Sequence, residues 1–393
     1  PMYDSQIWRE AYYDLVRAFG EKYGNHPQVT AIVFCPGLDG ETQIVKNSSC
    51  SWNSLLDQQA GGVRYRFGEY IAESMDVYQE SFPNKPIFIN NAPGGSSMRK
   101  ATSDYAASFD PPIGLKHCGM WVDLDSHQGY GNYYGSWDLM NAYSMTAPIW
   151  IESAYGLGSK EHRYWSFMAG LHYHPDAIDV HPEFLEQSDP EWLNFVTRHL
   201  GVTINNTPDV FIVLRDAEYP LNDWGGGGCS GHMGDWTFWL YQKEGAPQSA
   251  TERVMRENVP AAEDHIYSRQ TRRTQQDTNN IFMSFDIDDK YPYVAQKPVD
   301  LDGGNAYQKV HVTLLNMGTD TFSLEYRNWD GAIVSQTKRK GPELGKVDDW
   351  VTVSFTVRDG YFDNNMPGDC DFRISCERDG DEYVHMVRVE GGW

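Results

Sequence analysis

The chain has 393 residues, 40% of them hydrophobic and 22% charged, which fits two or three folded domains and excludes a disordered chain. Against 32 Lys and Arg stand 55 Asp and Glu, and the resulting net charge of −23 repels phosphate backbones and anionic membrane surfaces. Aromatic residues reach 14%, a surplus that sugar-stacking surfaces use, and no run of about 18 apolar residues exists to insert into a membrane.

In chain order, Ile7, Trp8, Tyr12, Leu15, Val16 and Phe19 recur at helical steps and predict a helix over 5–23. Val29-Thr-Ala-Ile-Val-Phe34 is a continuous β-rich run, the pattern of a strand buried on both faces, and it leads to Glu41. A helix follows near 62–80, then Pro86-Ile-Phe-Ile-Asn90. The rhythm repeats in Gly119-Met-Trp-Val-Asp123, Pro148-Ile-Trp-Ile-Glu152 and Ala177-Ile-Asp-Val-His181, with helical patterns at 135–144, 160–172 and 189–200. Alternating buried strands and helices predict a parallel α/β fold. Each strand run ends in polar residues: Glu41, Asn90 and Asn91, Asp123 and Asp125, Glu152, and His181. That habit suits a (β/α)8 TIM barrel, whose strand C-termini carry the chemistry. Five such strands are visible and a barrel needs eight. Either three precede Pro1, or the fold is not a barrel; Pro1-Met-Tyr3 itself is not a natural translation start.

Beyond residue 207 the pattern changes. Residues 208–280 read as a connecting strand and loop region packing on the barrel. From 281 to 393 strands alternate without helices, at 281–287, 309–315, 321–326, 350–357, 371–376 and 383–389, which predicts an antiparallel β-sandwich. Six cysteines follow no metal-binding spacing, and Cys370 and Cys376, about 20 Å apart along an extended strand, are too far apart to bridge each other.

Glu41 and Glu152 each follow a buried strand. Retaining glycoside cleavage needs two carboxyl groups about 5 Å apart, one protonating the leaving oxygen and one attacking the anomeric carbon. Their environments must differ, because one is protonated and the other ionised. Asp39 is a rival for the acid. Asn90, Asn91, Asp123, Asp125, His127 and His181 are candidate cleft residues at strand ends. The loop 127–137 combines Gly with Tyr130, Tyr133, Tyr134 and Trp137, and with Trp52 it offers ring faces for sugar stacking. The bland reading of each is a helix cap, a loop ion pair or aromatic packing. Asp286, Asp288 and Asp302 supply oxygen atoms suited to a structural Ca²⁺ but match no EF-hand spacing, and no cofactor is required.

The segment from Trp8 through Asp39-Gly40-Glu41, together with Pro148-Ile-Trp-Ile-Glu152-Ser-Ala-Tyr155, resembles helix three, strand four and strand seven of clan A glycoside hydrolases. The resemblance spans about residues 5–240 and implies a TIM-barrel catalytic domain over 1–207. It implies Glu152 as nucleophile and Glu41 as acid/base, with strands one to three supplied upstream of Pro1 or by a second chain. Gly40 stands where most of that clan has Asn, which puts the sugar 2-hydroxyl contact or the activity itself in doubt. The later strands, including His311-Val-Thr-Leu-Leu-Asn-Met-Gly318 and Trp350-Val-Thr-Val-Ser-Phe355, resemble the jelly-roll modules appended to carbohydrate-active enzymes. The expectation is a retaining glycoside hydrolase acting on an extracellular poly- or oligosaccharide, in an extracellular, periplasmic or cell-surface setting. The alternative is a non-catalytic glycan-binding or surface-structural protein on a degenerate barrel; a different α/β enzyme with coincidental carboxylates is a third.

Overall fold

The computed structural model describes residues 5–34, 36–37, 63–90, 96–120, 136–153, 160–215, 235–255, 270–294 and 307–391. They fall into two units, Pro1–Ser188 with Pro220–Gly231 and Asp189–Tyr219 with His232–Trp393.

In the first unit helices and strands alternate. Helix α1 is Gln6–Tyr23, β1 Ile32–Phe34, α2 Val63–Ser81, β2 Ile87–Asn90, α3 Ser96–Ala107 and β3 Gly114–Met120. They are followed by α4 Ser136–Tyr143, β4 Ile149–Ser153, α5 Lys160–His172, β5 Ala177–Asp179 and α6 Pro182–Gln187. The five strands pair in parallel in their chain order, β1-β2-β3-β4-β5. A doubly wound sheet would reverse direction at a switch point. Here every crossover advances by one strand, and the result is a curled half-barrel with five of the eight strands that closure requires.

Side chains alternate across this sheet. Ile87, Ile89, Leu115, Ile149 and Ile151 share one face and are almost wholly buried. On that face Met120 meets α5 at Gly170, where a Cβ would lie 2.7 Å from the Met120 sulfur. Helices α1 and α2 approach as closely: a Cβ on Gly20 would stand 2.5 Å from the Ser81 carbonyl oxygen. Arg9 and Tyr13 reach Glu73 at 2.8 and 2.9 Å, and the Tyr12 and Tyr78 hydroxyls meet at 3.0 Å.

The predicted helices stand within a residue or two at α1, α2, α4 and α5. Several expectations shift. The strand read at 29–34 spans only Ile32–Phe34 and is half-buried at Ile32 and Val33 rather than buried on both faces, the run 177–181 ends as a strand at Asp179, and α6 was not anticipated. The strand placed at 119–123 already runs from Gly114, because Lys116 and His117 interrupt the apolar run that marks a buried strand. Helix α3 was not anticipated. Its Ser/Thr-rich sequence hides the period, yet Thr102, Ser103 and Ala106 are buried, and the Ser103 hydroxyl returns to the Arg99 carbonyl oxygen at 2.8 Å.

The second unit opens with α7, Pro190–Arg198, capped by Asp189, whose carboxylate accepts from the Glu191 N–H at 3.1 Å. Its strands are β6 Asp209–Val213, β7 Trp236–Phe238, β8 Leu240–Gln242, β9 Glu252–Met255, β10 Gln270–Arg273 and β11 Phe282–Ile287. Then come β12 Gln308–Leu315, β13 Thr321–Arg327, β14 Ile333–Arg339, β15 Trp350–Val357, β16 Phe372–Ser375 and β17 Tyr383–Glu390. They form two antiparallel sheets. One has seven strands, β15-β12-β17-β10-β9 with β6 beside β17 and β7 beside β6; the other has five, β14-β13-β16-β11-β8. Val310, Val312 and Leu314 of the first and Phe322, Leu324, Phe285 and Ile374 of the second are fully buried. Phe322 and Phe355 meet edge-to-face at 5.9 Å. Strand β14 was not expected; it alternates half-buried residues with exposed ones such as Ile333 and Arg339 and lies at a sheet edge, the place where polar strands belong. Cys370 and Cys376 are buried free thiols.

A polar knot ties α7 to this sandwich. The Asp209 carboxylate is fully buried and receives Arg198 Nη2 and Arg388 Nη1, each at 2.8 Å, on Oδ2. His199 Nε2 meets Oδ1 while its Nδ1 faces the Phe195 carbonyl oxygen at 2.7 Å. Burial alone would raise this carboxyl, but the His199 hydrogen bond and the charges of His199, Arg388 and Arg198 hold it below the usual carboxylate range.

Candidate functional site

The second face of the half-barrel is polar. Register sets Asn90, Lys116, Trp150 and Ala177 side by side, and one row further Glu152 pairs with Cys118 and Asp179. Residues in register point to the same side of a parallel sheet, so β2, β3 and β4 present Asn90, Lys116, Trp150 and Glu152 on one face, Asn90 and Glu152 at the C-terminal ends of their strands. Asn90 is buried, and the Lys116 and Glu152 side chains are 9% and 26% exposed. Lys116 Nζ donates to Glu152 Oε2, and the same ammonium lies 5.9 Å from the Trp150 ring centre. Phe88 braces that ring edge-to-face at 5.2 Å. The arrangement is a carboxylate at a strand end, paired with a buried cation and flanked by an aromatic ring.

On the opposite face His117 neighbours Arg99 of α3. Burial, with the Arg99 and Lys116 charges and against the pull of Glu152, pushes its imidazole down to about 4. His174, after α5, is pushed down to about 3 by burial and His172. Both values lie below the ordinary 6.5. As pH falls, the unfolded chain therefore takes up these protons first, and stability is lost from about pH 6.5 downward. Between pH 7.5 and 5 the first unit is expected to lose on the order of 2 kcal/mol, allowing for partial exposure of both rings. Amide exchange in β3 and β4 under rising urea measures it; a response that is flat with pH would refute it.

The predicted residues divide as follows. Glu152 lies inside β4, next to its last residue, and Asn90 ends β2; one strand, β3, separates them. His181 stands at the N-cap position of α6 without a side-chain cap hydrogen bond, and its N–H donates to Ser153 Oγ at 2.9 Å, which ties the segment after β5 to the end of β4. Trp137 falls in the first turn of α4. Glu41, Trp52, Asn91, Asp123, Asp125, His127 and Tyr130 lie outside the described residues, as does Asp302. Asp286 is engaged by Lys243 Nζ at 2.8 Å, and Asp288 accepts the Lys290 N–H at 3.0 Å within a turn. Among the described residues no group of three His, Cys, Asp or Glu converges as a metal site. No described helix is long and apolar enough to cross a membrane.

Lys116 was missed. Part of its signal was available, a lone lysine in Gly114-Leu-Lys-His-Cys-Gly-Met120; its place beside Asn90 and Glu152 follows only from the register of the folded sheet.

No family model matches the sequence, and no curated protein matches it. Among solved structures, one described as "BiXyn10A CBM1 APO" is 10% identical, covering 39% of this chain and 97% of its own, with a TM-score of 0.18. A superposition that loose assigns neither fold nor function.

Proposed function

We propose that the chain is a retaining glycoside hydrolase of an extracellular poly- or oligosaccharide, with Glu152 as nucleophile and Glu41 as acid/base on a TIM-barrel scaffold followed by a jelly-roll sandwich. One observation carries the reading. Glu152 stands at the C-terminal end of a strand in a singly wound parallel sheet, where barrels place their chemistry, beside a buried ammonium that favours its ionised form. An ionised carboxylate is what a glycosyl acceptor must be, and Trp150 supplies an aromatic wall next to it. The sugar partner is a carbohydrate by chemistry alone; no cofactor takes part.

The second reading, a glycan-binding protein on a degenerate barrel, rests on Gly40 preceding Glu41. The stereochemistry of hydrolysis decides. The full chain is incubated with a panel of aryl glycosides and polysaccharides, and the first-formed anomer is followed by proton NMR. Retained configuration is expected. Inverted product would remove Glu152 from the nucleophile role. Saccharide binding with no product would favour the second reading.

A further inference from the structure

Lys116 is buried, its side chain 9% exposed, and its ammonium donates to Glu152 Oε2. A cation held out of water against a carboxylate favours the ionised form of that carboxylate. Lys116 and His117 on β3 interact with Glu152, and Asp179 stands in register with it on β5; Arg99 on α3 acts on His117. Asp179 acts against ionisation but is exposed; Lys116 touches Oε2 and is buried.

We infer that Lys116 is a positioning residue that keeps the Glu152 carboxylate ionised and anchors its Oε2 on the β3 side of the sheet. The catalytic meaning of this rests on the hydrolase reading; the ionisation itself does not. In the first step Glu152 gives an electron pair to the anomeric carbon as the bond to the leaving oxygen breaks, and the acid/base proton passes to that oxygen. The ester so formed is uncharged, so the Glu152 charge beside Lys116 is lost in this state. In the second step water adds to the anomeric carbon, its proton returns to the acid/base carboxylate, and the ester bond breaks. Glu152 regains its charge beside Lys116. The lysine thus favours both the attacking state and the release of the sugar.

The test is a titration of the full chain, with ¹³C-carboxyl-labelled glutamate followed by NMR and the Glu152 signal assigned by its loss in Glu152→Gln. In the wild type it titrates below the ordinary glutamate value of about 4.3. In Lys116→Met it moves up by about one pH unit or more, and Lys116→Arg restores it. Where turnover is present, the acid limb of kcat/KM moves by the same amount. An unmoved titration in Lys116→Met overturns the inference whatever the activity. Should that variant fail to fold, a wild-type Glu152 titrating at or above the ordinary value overturns it. A displaced titration without turnover supports Lys116's role and overturns the hydrolase reading alone.

Discussion

On the proposed hydrolase reading, Glu152→Gln is expected to abolish turnover, by on the order of 10⁴-fold or more in kcat, with KM near its wild-type value. The amide keeps the shape of the carboxylate but cannot form a covalent bond to the anomeric carbon. The substitution also removes the Glu152 charge from beside Lys116, whose side chain is 9% exposed. Removing one partner of a buried pair costs about 3–5 kcal/mol when burial is complete, and less here because Glu152 is 26% exposed. Loss of rate must therefore be separated from loss of fold. The double variant Lys116→Met with Glu152→Gln removes both charges and is expected to regain stability but no activity. A second discriminating measurement uses Glu152→Ala, which opens space for a small anion. Azide attacking in place of the missing carboxylate restores turnover and gives an inverted product. Residual activity within tenfold of wild type in Glu152→Gln would end the nucleophile assignment.

Asp209→Ala is expected to destabilise the second unit by about 3–5 kcal/mol. The carboxylate is fully buried and is shared by Arg198 and His199, at the end of α7, and by Arg388 on β17. Truncation leaves those donors facing a void, and the desolvation that Asp209 compensated is no longer offset. Because the Asp209 carboxylate itself is fully buried, raising the salt concentration should change the loss less than it changes exposed pairs such as Lys346–Asp349, even though Arg198 is half exposed. Equilibrium urea unfolding of the full chain, read by amide exchange in β6 and β17, measures the effect. A loss below about 1 kcal/mol would mean that the knot contributes nothing beyond packing.

The elements most legible in the sequence are those whose period is driven by burial. Helix α1 shows its apolar stripe, and β15 alternates over 351–357. Less legible are elements held by polar contacts. Helix α3 buries Ser and Thr through backbone hydrogen bonds, and β14 exposes every second residue at a sheet edge; neither carries a hydrophobic rhythm. The candidate site divides along the same line. A carboxylate closing an apolar strand draws the eye to Glu152. Lys116 interrupts its strand in the middle, so a reading tuned to apolar runs passes over it and starts the strand too late. Its meaning depends on which residue stands opposite on β4, and cross-strand register is a property of the folded sheet rather than of either segment.

The pairing of β17 has a consequence for how the chain is made. Tyr383–Glu390 lies in the interior of the seven-stranded sheet, with β12 along one edge and both β6 and β10 along the other. During synthesis β6 and β12 leave the ribosome well before their shared neighbour exists. Until residue 390 has cleared the exit tunnel, their hydrogen-bonding edges and the buried row Val384, Val387 and Val389 have no place to go. The sandwich thus assembles after translation of its last strand, whereas the parallel sheet, whose strands pair in chain order, grows one crossover at a time as it emerges.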